Sequence, residues 1–322
     1  MKNNFNKEFN VILVRLGSLG DILVTVPSIN LIRENLPHSN ITLIANQTYG
    51  HFLKEAGLVD QLIPLESSQA LAIFDREKEM AEPDFRKADL LIIWLNRAFS
   101  GSKEIIPEIL KEKAQLIFGE NEKNFSISKN FLIKTGEVLE IIVKKKLQIV
   151  CEEKYTTLPI KREWLKEAES LFPKLLRQKF VVVHPGSGGE KKRWGLENFL
   201  ALVNFFANHK LAGIIITGPA EESYLPILSS YRWPGNWYWS HEPSLRVIAA
   251  LLFCASFYVG NDSGITHLAA LCGCPGLAFY KRENVSIWAP YSKKIKILEA
   301  SDLKEIEAEL VCWKIRKILA MS

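Results

Sequence analysis

The sequence lacks several patterns that would place it quickly in a functional class. Gly, Pro and His267 interrupt the longest uncharged segment, residues 263–280, so it is not expected to span a membrane. The apolar run that follows the N-terminus is broken by Arg15 and Asp21, and no small-residue cleavage site comes after it. No signal peptide is therefore predicted, and the expected location is the cytoplasm.

Cysteine is also scarce. The five cysteines of the 322 residues form no paired framework, which does not fit a disulfide-built secreted domain. Cys272 and Cys274 make a C-x-C, but no second pair and no histidine stands at the spacing of a structural zinc site. A protein of a reducing compartment, without structural zinc, is the expectation.

Two common glycine-rich nucleotide motifs are missing. The loop LGSLGD at 16–21 is not G-x-G-x-x-G. The next apolar run, ITLIA at 41–45, continues into IANQ, which contains no acidic residue. These features disfavour a dinucleotide oxidoreductase. The loop HPGSGGEKKRW at 184–194 lacks the G-x-x-x-x-G-K-[ST] pattern of a P-loop. The net charge of +5 fits an acidic small molecule or an anionic membrane surface, and does not suggest nucleic acid.

What is present is an alternation of strands and helices. NVILVR (10–15) is a continuous apolar run typical of a buried parallel strand, and ITLIA (41–45) is the next one. Between them, the glycine loop and the segment 21–36, with apolar residues at helical spacing, predict one helix and complete a βαβ unit. A second alternating series begins with FVVVHP (180–185).

The length and the pattern together predict two domains. A chain of 322 residues exceeds one ordinary hydrophobic core, and the alternation blurs in the charged region 119–165. We therefore expect domains at 1–160 and 161–322, each a doubly wound α/β fold. The segment 301–320 is expected to form a long amphipathic terminal helix, with Ser301 as its N-cap.

The polar residues of interest follow predicted strands, where ligands bind in such sheets. Asp21 could cap its helix or act as a base, and the loop 184–194 could be a solvated turn or a cradle for phosphate. The carboxylate in TGPAEE (217–222) could bind ribose or cap a helix. Asp262, Ser263 and His267 invite comparison with a hydrolase, but G-x-S-x-G is absent.

Taken in order, several segments resemble the glycosyltransferase family 9 heptosyltransferases, from about residue 10 to residue 291. They are LGSLGD, HPGSGG with KRW, TGPAEE, SLRVIAALL, VGNDSGITHLAALCGCP and WAPY. The resemblance implies a GT-B fold, with two Rossmann-like domains facing a cleft. It also implies an inverting transfer of heptose from ADP-heptose to the inner core of lipopolysaccharide. No D-x-D occurs in the chain, which agrees with a transfer that needs no metal and no cofactor.

The resemblance also implies roles for individual residues. Asp21 matches the general base and Lys192 the catalytic cation that meets the donor phosphates. Residues expected to bind the donor are Ser187, Gly188, Glu221, Asp262, Ser263, Gly264 and His267. Glu222 stands close enough to compete with Glu221 for the ribose. Arg97, which follows a predicted strand, is the candidate contact for an anionic acceptor.

Alternatives stay open at this level. Another GT-B transferase, or an epimerase using UDP-sugars, would share the fold, and so would a nucleotide-sugar-binding module without activity. The pairing of Asp21 with Lys192 argues against the inactive module. The expected partners are a nucleotide-sugar donor, with ADP-heptose preferred, and an anionic glycolipid at the inner face of the cytoplasmic membrane. A peripheral position at that membrane is an alternative to a free cytoplasmic one.

Overall fold

The computed structural model describes residues 8–68, 70, 88–96, 114–119, 127–144, 147 and 157–320. The chain divides into two compact units, Met1–Pro159 and Ile160–Ser322. In each unit the described strands form one parallel sheet, with helices in the connections between strands. The central strands of each sheet are continuous apolar runs because both of their faces are buried.

In the first unit, the sheet has the strand order β3-β2-β1-β4-β5 within the described residues. The strands are β1 Asn10–Arg15, β2 Asn40–Ala45, β3 Gln61–Pro64, β4 Leu90–Asn96 and β5 Ala114–Gly119. The described helices are α1 Leu19–Leu23, α2 Val26–Asn35, α3 Gln47–Glu55 and α4 Ile127–Val143.

The prediction of a single helix over 21–36 is wrong, because α1 and α2 are separate. Pro27 stands in the first turn of α2 and has no N–H to continue a hydrogen-bond ladder from α1. At the break, the Thr25 hydroxyl donates to the Ile22 carbonyl at 2.7 Å. The short α1 therefore stands alone after β1, and Asp21 lies within it.

In the second unit, the strand order is β11-β10-β9-β6-β7-β8. The strands are β6 Phe180–His184, β7 Ala212–Thr217, β8 Trp237–His241, β9 Phe257–Asn261, β10 Gly276–Lys281 and β11 Ile295–Ala300. The helices are α5 Arg162–Leu171, α6 Leu196–Asn208, α7 Leu225–Ser230, α8 Leu245–Cys254, α9 Gly264–Leu271, α10 Arg282–Trp288 and α11 Ala308–Leu319.

The C-terminal helix is shorter than predicted. It begins at Ala308 with Glu307 as its N-cap, so the expectation of a helix capped by Ser301 is wrong. The Asp302 side chain instead caps a single 3₁₀ turn, Leu303–Glu305, by accepting from the Lys304 amide at 3.0 Å. Within the described part of the chain, no helix is long and apolar enough to cross a bilayer.

Both sheets reverse their strand order at one place. In the first unit the reversal falls between β1 and β4, and in the second between β6 and β9. The loops after these strands leave in opposite directions and open a crevice at the carboxyl edge of the sheet, where ligands bind in such folds. Asp21, Lys192 and Asp262 come soon after β1, β6 and β9, while Glu221 follows the neighbouring strand β7.

Candidate active site

The loop after β6 is held at both ends by one buried side chain, that of Asn261. Its Nδ2 donates to the Pro185 carbonyl at 2.7 Å, and its Oδ1 accepts from the Trp194 amide at 3.1 Å. The Trp194 ring is buried against Phe279 with centroids 4.2 Å apart, and its Nε1 donates to the Ile306 carbonyl at 2.7 Å. Both ends of the loop are therefore fixed by buried side chains.

Inside the loop, Ser187 and Arg193 are engaged with the protein itself. The Ser187 hydroxyl is buried and donates to the Asp262 carbonyl at 2.7 Å. Arg193 donates to the Ser187 carbonyl at 3.0 Å and to the Ala220 carbonyl at 2.8 Å. Gly188 is exposed, and a Cβ there would meet no atom within 4 Å. The backbone at Gly188 is therefore the part of the loop that is open to a ligand.

Lys192 and Asp262 form an ion pair at the mouth of this loop. Lys192 Nζ lies 3.1 Å from Asp262 Oδ2, and the same oxygen accepts from Asn284 Nδ2 at 3.0 Å. The Asp262 carboxylate is 6% exposed, whereas the Lys192 side chain is 38% exposed. The carboxylate is thus fixed, and the ammonium group can turn toward a bound anion.

The next helix starts beside this pair. Ser263 is the N-cap of α9, with Gly264 as its first residue, and the Ser263 hydroxyl lies 3.3 Å from His184 Nδ1. The first amides of a helix have no acceptor within it and carry the positive end of its dipole, so this start favours an anion. His267 is buried in the same helix at 5% exposure.

Glu221 follows β7, the strand next to β6, and contributes a second carboxylate to the site. It is buried, and its Oε2 accepts from the Gly218 amide at 2.7 Å, while Glu222 is exposed. Burial raises the pKa of Glu221, and the Gly218 amide and Arg193 oppose that rise. A Cβ on Gly186 would collide with the Glu221 carboxylate, so a larger residue there would displace that carboxylate. Of the two carboxylates, Glu221 is the one that faces the loop.

His184 links Glu221 to the start of α9. Its Nε2 lies 3.8 Å from Glu221 Oε2, and its Nδ1 faces Ser263. Burial, with a smaller effect of Arg193, lowers the pKa of His184 to about 3. The imidazole is therefore neutral at neutral pH, and its contact with Glu221 is not an ion pair.

In the first unit, a buried arginine holds Asp21. The Arg15 side chain is 2% exposed, and its Nη2 donates to Asp21 Oδ1 at 2.8 Å, while its Nε donates to the Asp21 carbonyl at 2.9 Å. Its Nη1 donates to the Trp94 carbonyl of β4 at 3.2 Å. The other carboxylate oxygen of Asp21 accepts from the Ser18 amide at 3.0 Å and the Ser18 hydroxyl at 2.9 Å. Burial lowers the pKa of Arg15, and the Asp21 charge opposes that effect.

These contacts leave the Asp21 carboxylate partly accessible, at 18% exposure. The turn before it depends on Gly17, which has φ of +119°, and a Cβ there would lie 2.5 Å from Asp21 Oδ2. The segment LGSLGD thus places the Asp21 carboxylate just after β1, paired with the buried Arg15. Such a group can cap its helix and can also accept a proton from a ligand.

The structure brings the sequence-predicted donor residues together in the second unit. Asp262 contacts Ser187 through its carbonyl and Lys192 through its carboxylate, and Ser263 is the next residue in the chain. His184 contacts both Ser263 and Glu221, so it connects Glu221 to this group. Arg97 lies outside the described residues. Among the described residues, no group of three His, Cys, Asp or Glu side chains is arranged to hold a metal ion.

Sequence reasoning missed several residues that shape the site. They are Arg15, His184, Asn261 and Asn284. Arg15 carried a signal, since a charged residue at the end of a fully apolar parallel strand requires a partner. Asn261 carried a similar one, because it ends the apolar strand β9. The other two act through contacts that only the fold creates. Arg193 belongs to the predicted phosphate loop, but it donates to the carbonyls of Ser187 and Ala220.

A comparison with protein families decides the classification. Residues 141–313, more than half of the chain, match the model of glycosyltransferase family 9 (heptosyltransferase). The chain belongs to glycosyltransferase family 9. It is a glycosyltransferase of the heptosyltransferase group, as the sequence motifs predicted.

Individual relatives of this family 9 protein are distant. Lipopolysaccharide heptosyltransferase 3 of Escherichia coli is 21% identical over 304 residues, covering 89% of this chain and 88% of the relative. The structure of E. coli ADP-heptose LPS heptosyltransferase II matches 97% of this chain and 99% of its own, with TM-score 0.75 and 16% identity. E. coli heptosyltransferase WaaC with ADP matches 96% and 99%, with TM-score 0.68 and 17% identity. These structural likenesses confirm the expected GT-B fold class.

Proposed function

We propose that this family 9 protein transfers heptose from ADP-heptose to a sugar of the lipopolysaccharide inner core, with inversion at the anomeric carbon and without a metal ion. The names of the relatives support the donor, since one contains ADP-heptose and another was solved with ADP. The relative from E. coli named for lipopolysaccharide supports the acceptor.

The observation that carries the proposal is the group around Lys192. The Lys192 ammonium, the loop at Ser187 and Gly188, and the start of α9 at Ser263 and Gly264 all lie next to Asp262, near the switch of the sheet. Each of these groups favours negative charge, and a pyrophosphate supplies it. Asp262 stands beside them, and its carboxylate keeps the hydrogen bond from Asn284 when Lys192 turns to the phosphate.

The donor would then lie across the second unit. The ribose hydroxyls would donate to the Glu221 carboxylate, which also accepts from the backbone of Gly218 and Ser187, and the sugar would meet Asp262 and the His267 region. The Ser187 hydroxyl is committed to Asp262, so its contribution to the phosphate would come through the backbone of the loop. In this proposal, residues 161–322 bind the donor, and residues 1–160 bind the acceptor with Arg97 as an anion contact.

The reaction has two tasks for the protein. As the acceptor oxygen forms its bond to the anomeric carbon, its proton passes to the Asp21 carboxylate. The bond from the anomeric carbon to the β-phosphate oxygen breaks at the same time, and ADP leaves with the electron pair. Negative charge grows on the leaving phosphate, and Lys192 offsets it with the start of α9. Asp21 supplies the base and Arg15 holds its orientation.

The proposal is tested by ligand screening followed by turnover. A donor at 100 times its Kd should raise the free energy of unfolding by about 2.7 kcal/mol, and we expect that shift with ADP-heptose. UDP-, GDP- and dTDP-sugars serve as the competing set. A shift with UDP-sugars alone would contradict the ADP-heptose assignment and favour another GT-B transferase. Turnover retained in EDTA is expected, and loss restored by Mg²⁺ would contradict metal independence.

A further inference from the structure

The C-terminal helix α11 exposes large apolar side chains on its outer face. Val311 and Ile315 are buried against the core of the second unit, and the helix packs on α6. On the surface left open to solvent, Leu310, Trp313 and Ile318 are 46%, 55% and 44% exposed, with Trp313 opposite the buried stripe and Ile318 at its edge. Helical spacing places Lys314 and Lys317 among these residues. We call Leu310, Trp313, Lys314, Lys317 and Ile318 the outer face of α11.

The charge of this region is one-sided. From residue 310 to residue 320 the sequence is LVCWKIRKILA, which holds three cations and no acid. The one acid within the helix, Glu309, lies in its first turn. Lys317 Nζ lies 5.2 Å from the centroid of the Trp313 ring, so the indole and the ammonium form one amphipathic group.

A cavity of about 550 Å³ extends the cationic surface at the C-terminal end of α11. Lys179, Lys210 and His209 line it together with Leu319, and no acid is among its lining residues. Arg316 Nη2 lies 3.4 Å from His209 Nε2 and joins the cavity to the helix.

The cavity lies at the edge of the sheet where the strands begin. Its lining includes Lys179, Leu211 and Ser256, which immediately precede β6, β7 and β9. The proposed donor residues follow the ends of the same strands. Contacts made at this edge therefore do not cover the donor site of that unit.

We propose that the outer face of α11, with the cations around the adjoining cavity, docks on an anionic lipid bilayer. Helices that bind at the bilayer interface expose tryptophan and aliphatic side chains beside lysines. The apolar side chains enter the headgroup region, and the ammonium groups contact lipid phosphates. The absence of acids from residues 310–320 matches the negative surface of such a membrane. This proposal rests on the proposed function in one respect. A glycolipid acceptor gives the enzyme a reason to bind a membrane.

The first test uses the full-length protein and vesicles without any substrate. We expect sedimentation with vesicles that contain phosphatidylglycerol and little with pure phosphatidylcholine, and we expect added NaCl to weaken the binding. Lys314→Gln and Lys317→Gln should each lower the partition coefficient about fivefold. Trp313→Ser and Ile318→Ser should lower it further, on the order of tenfold each.

Ile227→Ser is the matched control, because Ile227 is 51% exposed on α7 and lies outside the outer face of α11. It should bind vesicles like the wild type. Thermal melts exclude misfolding as the cause in each variant. Equal vesicle binding by wild type and Trp313→Ser would overturn the proposal. So would a concentration-dependent dimer that Trp313→Ser abolishes, because a second copy would then cover the face.

A second test separates this proposal from the proposed function. With a deacylated, water-soluble acceptor, Trp313→Ser should turn over at the wild-type rate, while with acceptor in anionic vesicles it should be several-fold slower. Equal rates in both assays would overturn the docking proposal and leave the transfer reaction standing. No turnover by the wild type in either assay would instead contradict the proposed function, and vesicle sedimentation would still decide the docking.

Discussion

The substitution Asp21→Asn tests whether this carboxylate is a base or only a helix cap. If Asp21 takes the acceptor proton, an amide cannot replace it, and kcat should fall by about 10²–10⁴, the usual contribution of a positioned base. The affinity for the donor should change little, since all of the proposed donor contacts lie in residues 161–322. A cap alone predicts near-normal turnover, because asparagine caps about as well as aspartate.

The substitution Asp21→Asn should also lower the stability of the fold. Asp21 accepts from Arg15 through one oxygen and from Ser18 through the other, whereas asparagine has a single acceptor oxygen. The buried Arg15 would keep its hydrogen bonds to the backbone carbonyls of residue 21 and Trp94, but it would lose the negative charge that balances its own. We therefore expect the free energy of unfolding to fall by about 3 kcal/mol, the lower end for a broken buried ion pair.

Turnover must accordingly be compared at equal folded fraction. Arg15→Gln is the matched control, since it breaks the same ion pair and keeps the carboxylate. Urea denaturation, the donor Kd and kcat are measured for both variants. The base assignment requires Asp21→Asn to lose at least tenfold more turnover than Arg15→Gln. Equal losses, or turnover of Asp21→Asn within about threefold of the wild type, a difference under 1 kcal/mol, would refute it.

The other predictions address the second unit. Lys192→Ala should lower kcat and raise the donor Kd together, because the ammonium meets phosphate charge before and during bond breaking; changes within about twofold in steady-state kinetics would contradict the phosphate role. Asn261→Ala should lower the free energy of unfolding by about 2–4 kcal/mol in urea, since Trp194 and Pro185 each lose a buried hydrogen bond. His184 is protonated in the unfolded chain below its ordinary pKa of 6.5 but not in the folded one until about 3. The contribution of His184 to stability should thus fall by up to about 1.4 kcal/mol per pH unit on acidification through that window, and His184→Gln should change the slope by that amount in pH-dependent urea melts.

Much of the fold could be predicted from the sequence because its strands are buried on both faces. Runs such as NVILVR and FVVVH are continuous in β-branched and aliphatic residues, and their positions match β1 and β6. Element ends were less predictable. From the sequence, Pro27 could lie within one long helix or in the first turn of a second helix. The structure has the second arrangement, with α1 and α2 separate. β11, Ile295–Ala300, was not predicted, since its burial pattern is interrupted by exposed and half-exposed residues.

The candidate site was predictable as a set of residues and not as a set of contacts. Loops after neighbouring parallel strands meet at one edge, so Lys192 and Asp262 were expected near each other, and they form an ion pair. The partners that fix them come from distant positions. Arg15 bridges to β4 across 79 residues, and Asn261 reaches Pro185 across 76. No local pattern encodes such pairings, because they depend on the strand order.

The two ion pairs at the carboxyl edges of the sheets differ in a way that bears on their roles. Arg15 is buried and its guanidinium donates to three acceptors, so it is fixed to Asp21 and is not available to a ligand. Lys192 is more than a third exposed and has one acidic partner, Asp262, which keeps Asn284 when the lysine turns away. A planar guanidinium suits a permanent bidentate position, and a flexible ammonium suits a charge that must move to a phosphate. Exchanging the two residue types should therefore harm both sites: Lys192→Arg would keep the charge and lose part of the turnover, and Arg15→Lys would leave Asp21 with fewer of the contacts that orient it.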